Sequence, residues 1–403
     1  MTSTHKPRYV ANVTNRAFGY EFFKITHFAS VIVFMLTFFW HCDYTLTSWH
    51  YFIATAAIYV PCFVYPWLRT VFEYKWTKQA RVTVESNGFT RVTIPVNFHW
   101  TPGQHCFLRF TSFGILHAIS SHPFTIGSSP SRTKNGQSEL VFFIRHQDGF
   151  TKKLYQYALE NPDALVPILI DGPYGGAKIS RIRGADRQLL IAGGSGAGWC
   201  LPFIDEFMES GFSQGDEEKA YGDGFLNKET SSVDHKASAG TRSRPKFLRI
   251  VFATRDVSSE IWFEHAVQEV LKRYPQGNQS SSFQLQIYLT GTTANEAAHP
   301  SKNQESSSTQ GSGTGEDDIT RSEKEPKEVN SRRVHDGRPD LPLIIRDEAD
   351  KAAEGHEALA VYVCGPSTMQ NDVRNAVADA NLKIFKGARS GGVYLHSEHF
   401  SWA

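Results

Sequence analysis

Two apolar runs near the start of the chain constrain its fold more than any other feature. Residues 18–41 read FGYEFFKITHFASVIVFMLTFFWH, and residues 49–68 read WHYFIATAAIYVPCFVYPWL. As a helix, each is long enough to cross ~30 Å of hydrocarbon at ~1.5 Å per residue. Such surfaces must leave water, in a bilayer or as a pair of buried soluble helices. Trp40, Tyr44, Trp49, Tyr65 and Trp67 stand at the ends, as an interfacial aromatic belt requires. The link CDYTLTS carries no Lys or Arg. Lys6, Arg8, Arg16 and Lys24 precede the pair, and Arg69, Lys75, Lys78 and Arg81 follow it. That asymmetry places both termini on the cytosolic side of a membrane. Pro61 and Pro66 are expected to kink or end the second helix.

The first run holds His27 and His41. Fourteen residues at ~100° each fall about 40° short of four turns, so both imidazoles project from nearly one face, about 21 Å apart along the axis. Ionisable groups inside a membrane helix point to function. The spacing suits two stacked haems, each taking one imidazole from this helix; two histidines tolerated at the interfaces would show the same spacing.

At 403 residues the chain predicts two or three domains. A net charge of +1 gives no electrostatic case for nucleic acid. The five cysteines, Cys42, Cys62, Cys106, Cys200 and Cys364, are scattered and lack CxxC spacing, which argues against a disulfide framework or a zinc site. Residues 1–17 are read as a polar segment without the apolar core and cleavage site of a signal peptide, followed by a helical hairpin over 18–72.

From Arg81 the pattern shortens to alternating strands. RVTVES, the turn Ser86-Asn87-Gly88 and FTRVTIPV read as a hairpin. HCFLRF and ELVFFIRH add strands, and the whole predicts a small antiparallel β-barrel over 78–177. PGQHCFLRF, His122-Pro123-Phe124-Thr125-Ile126 and Gly149-Phe150-Thr151-Lys152-Lys153-Leu154 stand out there. A Gly-Phe-Thr turn at a helix start offers N–H groups and a hydroxyl to a phosphate; a plain N-cap by Thr151 is the simpler local reading.

Residues 185–403 predict an α/β domain with a parallel sheet. RQLLIAGGSGAGWCLPFIDEFM reads strand, glycine turn, helix, with Gly193, Gly194, Ser195, Gly196 and Gly198 in the turn. Glycines admit a pyrophosphate to the backbone and the helix dipole favours its charge, though a purely structural turn uses the same residues. The spacing is not GxGxxG, which predicts a related nucleotide fold rather than the dinucleotide motif of soluble dehydrogenases. FLRIVFATRD, FQLQIYLTG and ALAVYVCGPSTMQNDVRNAVADA supply further units. Arg255, Gly194 and Cys364 fall at strand C-ends, where such sheets bind ligands. Arg255 is either a clamp for the 2′-phosphate of NADPH or a surface arginine. Tracts 211–245 and 293–336 are rich in Ser, Gly, Lys and Glu and are expected to be disordered insertions.

HPFTI, GFTKKL, AGGSGAGWCLPF, VYVCGPSTM and a terminal VYLHSEHFSW follow a His-x13-His helix in this order. Together they resemble the fungal ferric-chelate reductases, relatives of the NADPH oxidases whose flavin and nucleotide parts are similar to ferredoxin-NADP reductase. The resemblance covers the chain from Tyr20 apart from the two tracts. It implies a membrane enzyme, plasma-membrane by preference, that moves electrons from NADPH through FAD and two haems b to extracytoplasmic Fe(III) or Cu(II) chelates. It implies that His122, Pro123, Phe124 and Thr125 hold FAD, with Thr125 near the flavin N5, and that Gly149 and Thr151 meet its pyrophosphate. Gly193, Gly194, Ser195 and Gly196 match the NADPH pyrophosphate turn. Arg255 and Arg338 match adenosine-phosphate contacts. Cys364, Gly365 and Pro366 match the turn beside the nicotinamide, and Phe400 or Trp402 the terminal aromatic on the flavin. His27 and His41 match the second pair of haem ligands. Family members have at least six membrane helices with further haem histidines on an earlier one. The sequence is therefore expected either to be a truncated product or to pair with another membrane subunit. A superoxide-generating oxidase shares every motif, and a haem-less membrane partner is the remaining alternative.

Overall fold

The computed structural model describes residues 8–42, 48–74, 77–114, 117–118, 120–131, 137–147, 149–210, 245–274, 282–291, 331–387 and 392–399. Contacts divide the chain into two compact units: Met1–Trp100 with Gln104–Gly175, and Thr101–Gly103 with Gly176–Ala403.

The first unit opens with helices α1 (Arg8–Cys42) and α2 (Ser48–Tyr74). Their windows Ile25–Cys42 and Trp49–Tyr74 are long and apolar enough to cross a membrane, and both are largely exposed, with Thr70 and Tyr74 buried at the end of the second. The stretch expected as a polar segment is helical from Arg8, since neither Pro nor Gly interrupts it before Gly19. Nor does α2 end at Pro61 or Pro66. It runs through both to Tyr74, and its last turns are held by the barrel, which outweighs the local proline signal. Thr70 Oγ1 bonds Pro66 O at 2.8 Å and approaches Ile170 O at 3.4 Å.

The barrel strands are β1 (Lys78–Val84), β2 (Phe89–Val96), β3 (Gln104–Phe110), β4 (His122–Thr125), β5 (Ser138–Arg145) and β6 (Ala164–Gly175), all antiparallel in the order β4-β3-β6-β1-β2-β5. The predicted hairpin is present. Gly88 turns it at φ +77°, a value that favours glycine. Just past β4, Gly127 N donates to Val141 O on β5 at 2.7 Å, and Ser128 Oγ donates to Glu139 O at 2.7 Å. These bonds join the two sheet edges. Period-2 alternation on β2 sends Val92, Ile94 and Val96 inward. Helix α3 (Phe150–Glu160) adds Phe150, Leu154 and Ala158 at intervals of four, one helical face, to the same core.

The second unit is a parallel sheet of β7 (Arg187–Gly193), β8 (Phe247–Thr254), β9 (Ser282–Leu289), β10 (Ser331–Asp336), β11 (Leu359–Gly365) and β12 (Val393–His399). A short α4 (Ile179–Arg183) precedes it. Helices α5 (Ala197–Ser210), α6 (Val257–Lys272), α7 (Leu341–Glu354) and α8 (Ser367–Phe385) connect its strands. Strand order is β10-β9-β8-β7-β11-β12. Every residue of β11 is buried, as a central parallel strand covered on both faces requires. Leu189, Ile191, Val361 and Val363 pack with α7 and α8. On the opposite face Tyr362 meets Phe203 of α5 and Phe252 meets Phe263 of α6.

Two expectations for this unit change. Strand β10 occupies the last six residues of the tract expected to be disordered. Its backbone pairs with β9, from Ser331–Gln284 to Asp336–Leu289. A charged edge strand resembles a polar tract until its neighbour is known. Residues 211–244 and 292–330 lie outside the described residues. Helix α7 was not expected. Asp340 caps it by accepting from Leu343 N at 3.0 Å, with Pro342 in the first turn.

Glu348 of α7, only 1% exposed, ties the sheet to this helix. It accepts from Arg187 Nη2 at 2.8 Å and from Arg249 Nη1 at 3.0 Å. Arg249 also holds Gln286 of β9 at 2.9 Å, so one carboxylate links β7, β8, β9 and α7. Removing one member of a buried charge network costs up to roughly 3–5 kcal/mol, here moderated because Arg187 keeps Glu357 at 3.4 Å and Arg249 keeps Asp347 at 3.1 Å. We therefore expect Glu348→Ala to lower the thermal midpoint of the detergent-solubilised chain by many degrees. An unchanged melting curve would show that the network contributes nothing net.

Candidate functional site

A parallel sheet ends all its strands on one edge, and ligands collect where strand order reverses. Here the reversal falls between β7, followed outward by β8, β9 and β10, and β11, followed by β12. Ala192 of β7 stands opposite Cys364 of β11. The turns leaving these two strands are Gly194–Gly196, which leads into α5, and Cys364-Gly365-Pro366, which leads into α8. They touch without room for side chains. A Cβ on Gly196 would sit 2.6 Å from Cys364 O, and one on Gly193 2.9 Å from Pro366 Cδ. One on Gly365 would meet Met369 Sδ at 2.6 Å. Gly194 has φ +55°. The backbone is therefore bare where α5 begins, an arrangement suited to a pyrophosphate.

Arg255 follows β8 and is exposed at the same sheet edge. Arg338 follows β10 and Gly337, whose N bonds Leu289 O at 2.8 Å, and is exposed there too. Gln370, fully buried, was not singled out from the sequence. Its Nε2 donates to Gly365 O at 2.8 Å and to Glu398 O at 3.0 Å, fixing the turn after β11 to β12. No sequence motif marks it, because its two acceptors are backbone atoms brought together by the fold. Cys364 itself is wholly buried. Burial pushes its thiol well above the ordinary range, with Cys200 and Glu398 adding to the shift. A thiol so placed stays protonated and is no nucleophile.

In the first unit, the HPFT strand and the GFT turn come together around one ring. His122 of β4 stacks on Phe150, the first residue of α3, with centroids 4.5 Å apart and planes at 17°. Gly149 and Thr151 flank that ring. Gly149 has φ +78°, and no atom lies within 4 Å of where its Cβ would stand. Thr151 is not the N-cap. It lies inside the first turn of α3, and its hydroxyl accepts from Gln147 N at 2.9 Å while keeping its own hydrogen to donate. Phe124 packs on the barrel core, so alternation turns Pro123 and Thr125 to the other face. There Thr125 pairs in register with His105, and His105 with Tyr174 of β6.

A charged cluster joins β6 to α2. Tyr174 donates its hydroxyl to Asp171 Oδ1 at 2.6 Å. Arg69 of α2 donates to Gly172 O at 3.1 Å and lies 3.9 Å from Asp171. Beneath it, Cys106 is buried. Desolvation first, then the Asp171 charge, push its thiol up to about 12.

His27 and His41 both lie on α1 and are exposed. Helix α2 carries no histidine after His50. Phe400 and Trp402 lie outside the described residues; β12 ends just before them at His399.

Two outcomes are expected. Gly196→Ala forces a Cβ into Cys364 O and should destabilise the second unit by about 1–3 kcal/mol, read as a lowered melting point together with weaker nucleotide binding. At pH 8 a thiol with a pKa near 12 is ionised to about one part in 10⁴. Cys106, and with it the buried Cys200 and Cys364, should therefore resist iodoacetamide in the folded protein and react once it is denatured. Labelling of the native thiols on the same timescale would contradict their burial.

Residues 75–178 match the FAD-binding domain family, and residues 186–378 match the ferric reductase NAD binding domain family. The chain is 34% identical over 194 residues to a ferric/cupric reductase transmembrane component 7 of Saccharomyces cerevisiae, covering 47% of this chain and 29% of that protein. The same component from a second strain aligns at 27% identity over 392 residues, 95% of this chain and 58% of that one. A probable cell surface ferric reductase, kap2, of Aspergillus oryzae is 30% identical over 197 residues, 45% of this chain and 25% of that one. The chain thus spans less than two thirds of the length of these relatives. A ferredoxin NADP+ reductase from Neisseria gonorrhoeae with bound FAD and NADP aligns at TM-score 0.44 and 12% identity, over 80% of this chain and 98% of that one. The chain thus carries in succession an FAD-binding domain and a ferric reductase NAD binding domain, and its curated relatives are ferric reductase components.

Proposed function

We propose that this chain carries NADPH and FAD for the reduction of ferric or cupric chelates at a membrane. The observation that carries the reading is the pair of glycine-containing turns in close contact at the strand reversal, with Arg255 and Arg338 exposed on the same sheet edge. Gly193, Gly194, Ser195 and Gly196 would receive the NADPH pyrophosphate at the start of α5. Arg255 would take the 2′-phosphate that separates NADPH from NADH, and Arg338 the adenosine side. Cys364, Gly365 and Pro366 would border the nicotinamide, with the protonated, buried Cys364 as part of the wall.

The first unit fits FAD. Gly149 leaves open space before the uncapped start of α3, and Thr151 retains a hydroxyl hydrogen for a phosphate oxygen. His122 would lie toward that phosphate and Thr125 toward the flavin ring, with Pro123 and Phe124 holding the strand between them. Phe400 or Trp402 would stack on the flavin. Bound FAD accepts a hydride, two electrons with one proton, and can release the electrons singly. The protein's part is to hold the rings and exclude water, with no general acid or base.

The lack of basic residues in the α1–α2 link supports cytosolic units under a membrane, by preference the plasma membrane. The described residues do not complete a haem with two axial imidazoles. Helix α1 supplies His27 and His41, and α2 offers nothing after His50. Electron transfer across the bilayer would need second imidazoles from outside the described residues, which another membrane subunit could supply.

Purified chain supplemented with FAD should oxidise NADPH and reduce an artificial dye and ferric chelate. Arg255→Ala should raise the KM for NADPH about 10- to 100-fold while leaving that for NADH nearly unchanged, the range of a lost charged hydrogen bond. No dye reduction by flavin-loaded protein would end the reading. Oxygen consumption in place of chelate reduction would move it to an oxidase.

A further inference from the structure

Arg109 on β3 is buried, only 7% exposed, and its Nε and Nη1 are buried with no hydrogen-bond partner. A guanidinium has five N–H donors, and its charge is among the most expensive groups to bury unpaired. Its surroundings do not repay that cost. Its register partner on β6 is Leu169. The indole of Trp67 on α2 lies 4.6 Å from its carbon, a cation–π contact that offers no acceptor. The buried carboxylate nearby, Asp171, already takes the Tyr174 hydroxyl and stands 3.9 Å from Arg69. Arg69 is itself paired with Glu73 on the exposed side. Two guanidinium groups therefore face one buried carboxylate, and burial lowers the Arg109 pKa despite Asp171.

Its depth identifies what would approach it. On α2, Trp49 and Trp67 stand about 27 Å apart at ~1.5 Å per residue, close to the thickness of a hydrocarbon core. They mark the two interfaces of a crossing helix. Trp67 therefore lies at headgroup level, and Arg109, seated over it, lies at the level of lipid phosphates.

We propose that the seam between α2 and β3 binds the phosphate of an anionic phospholipid, with Arg109 as the group that receives it and Trp67 as its floor. The accessible remainder of Arg109 is where the lipid oxyanion meets the guanidinium, and Arg69 adds positive charge from the same helix. Binding there would also fasten the barrel to the membrane surface beside its outer face of Thr125 and His105. The proposal rests on α2 crossing a bilayer, not on the nucleotide or chelate chemistry.

The test uses the full chain in a sugar detergent free of phosphate, followed by thermal melting and native mass spectrometry, with added phosphatidic acid, phosphatidylcholine or inorganic phosphate. Wild type should melt several degrees higher with phosphatidic acid and retain it in the gas phase, with smaller effects from the other two. Arg109→Met should bind phosphatidic acid about 10- to 100-fold more weakly. Without lipid it should melt no lower than wild type, because an unpaired buried charge has been replaced by an apolar chain of similar length. A structural role alone predicts the reverse, a lower melting point for Arg109→Met with its lipid response intact, and that result overturns the proposal. Should Arg109→Met fail to fold, Arg109→Lys keeps the charge but loses the fork, and an undiminished lipid shift there overturns it equally. An equal response of wild type to inorganic phosphate makes this a soluble-anion site and removes the lipid assignment.

Discussion

Two turns that meet with no space for a side chain set the geometry of the nucleotide unit. Gly196 against Cys364 O and Gly193 against Pro366 bring the ends of β7 and β11 into backbone contact at the reversal of strand order. A residue with a Cβ would push the turns apart and carry α5 and α8 with them. Close approach also starts α5 directly at the strand reversal, and a helix N-terminus there favours anions. Below the turns, the sheet is braced by Glu348 between two arginines and by Gln370 between β11 and β12. This edge of the sheet is thus held from beneath by two separate sets of buried polar bonds.

The first unit meets a different constraint. A helix apolar enough for lipid must end against a barrel that folds in water, and charges accumulate where the two media join. Arg69, Glu73, Asp171, Tyr174 and Arg109 gather there, with Trp67 against Arg109. Phe98 stacks edge-on against Tyr74 and continues the contact into the barrel. This junction explains why α2 passes two prolines without ending, because its last two turns are stabilised from outside. It also places a strongly charged cluster beside the strands that carry His105 and Thr125.

Period and turn chemistry are local properties, and the elements that depend on them were readable. The alternation of β2, the Asn-Gly turn before it, the buried run of β7 with its glycines and the fully apolar β11 all signal themselves within a few residues. Helix α7 was missed although Asp340 followed by a proline in the first turn is a local start signal, because its mixed composition hid it beside a polar tract. Strand β10 was not readable. SRRVHD is hydrophilic, and only pairing with β9 gives its backbone a reason to extend. Among the candidate residues, glycines such as Gly149 and Gly194 stood out because few residue types satisfy their local geometry, whereas the HPFT run stood out through the resemblance.

The sequence by itself determined most of the elements, the apolar hairpin, and the glycine turns where two stretches of backbone approach closely, because sterics and periodicity act over short distances along the chain. Tertiary structure alone decided which of these meet. It stacked His122 on Phe150, buried Cys364 out of reach, gave Gln370 two carbonyls to hold, and set Arg109 over Trp67 without an acceptor. Each of those outcomes depends on burial and on partners distant in sequence. The free energy of a polar group follows from its desolvation and its bonds, and neither exists until the chain has folded.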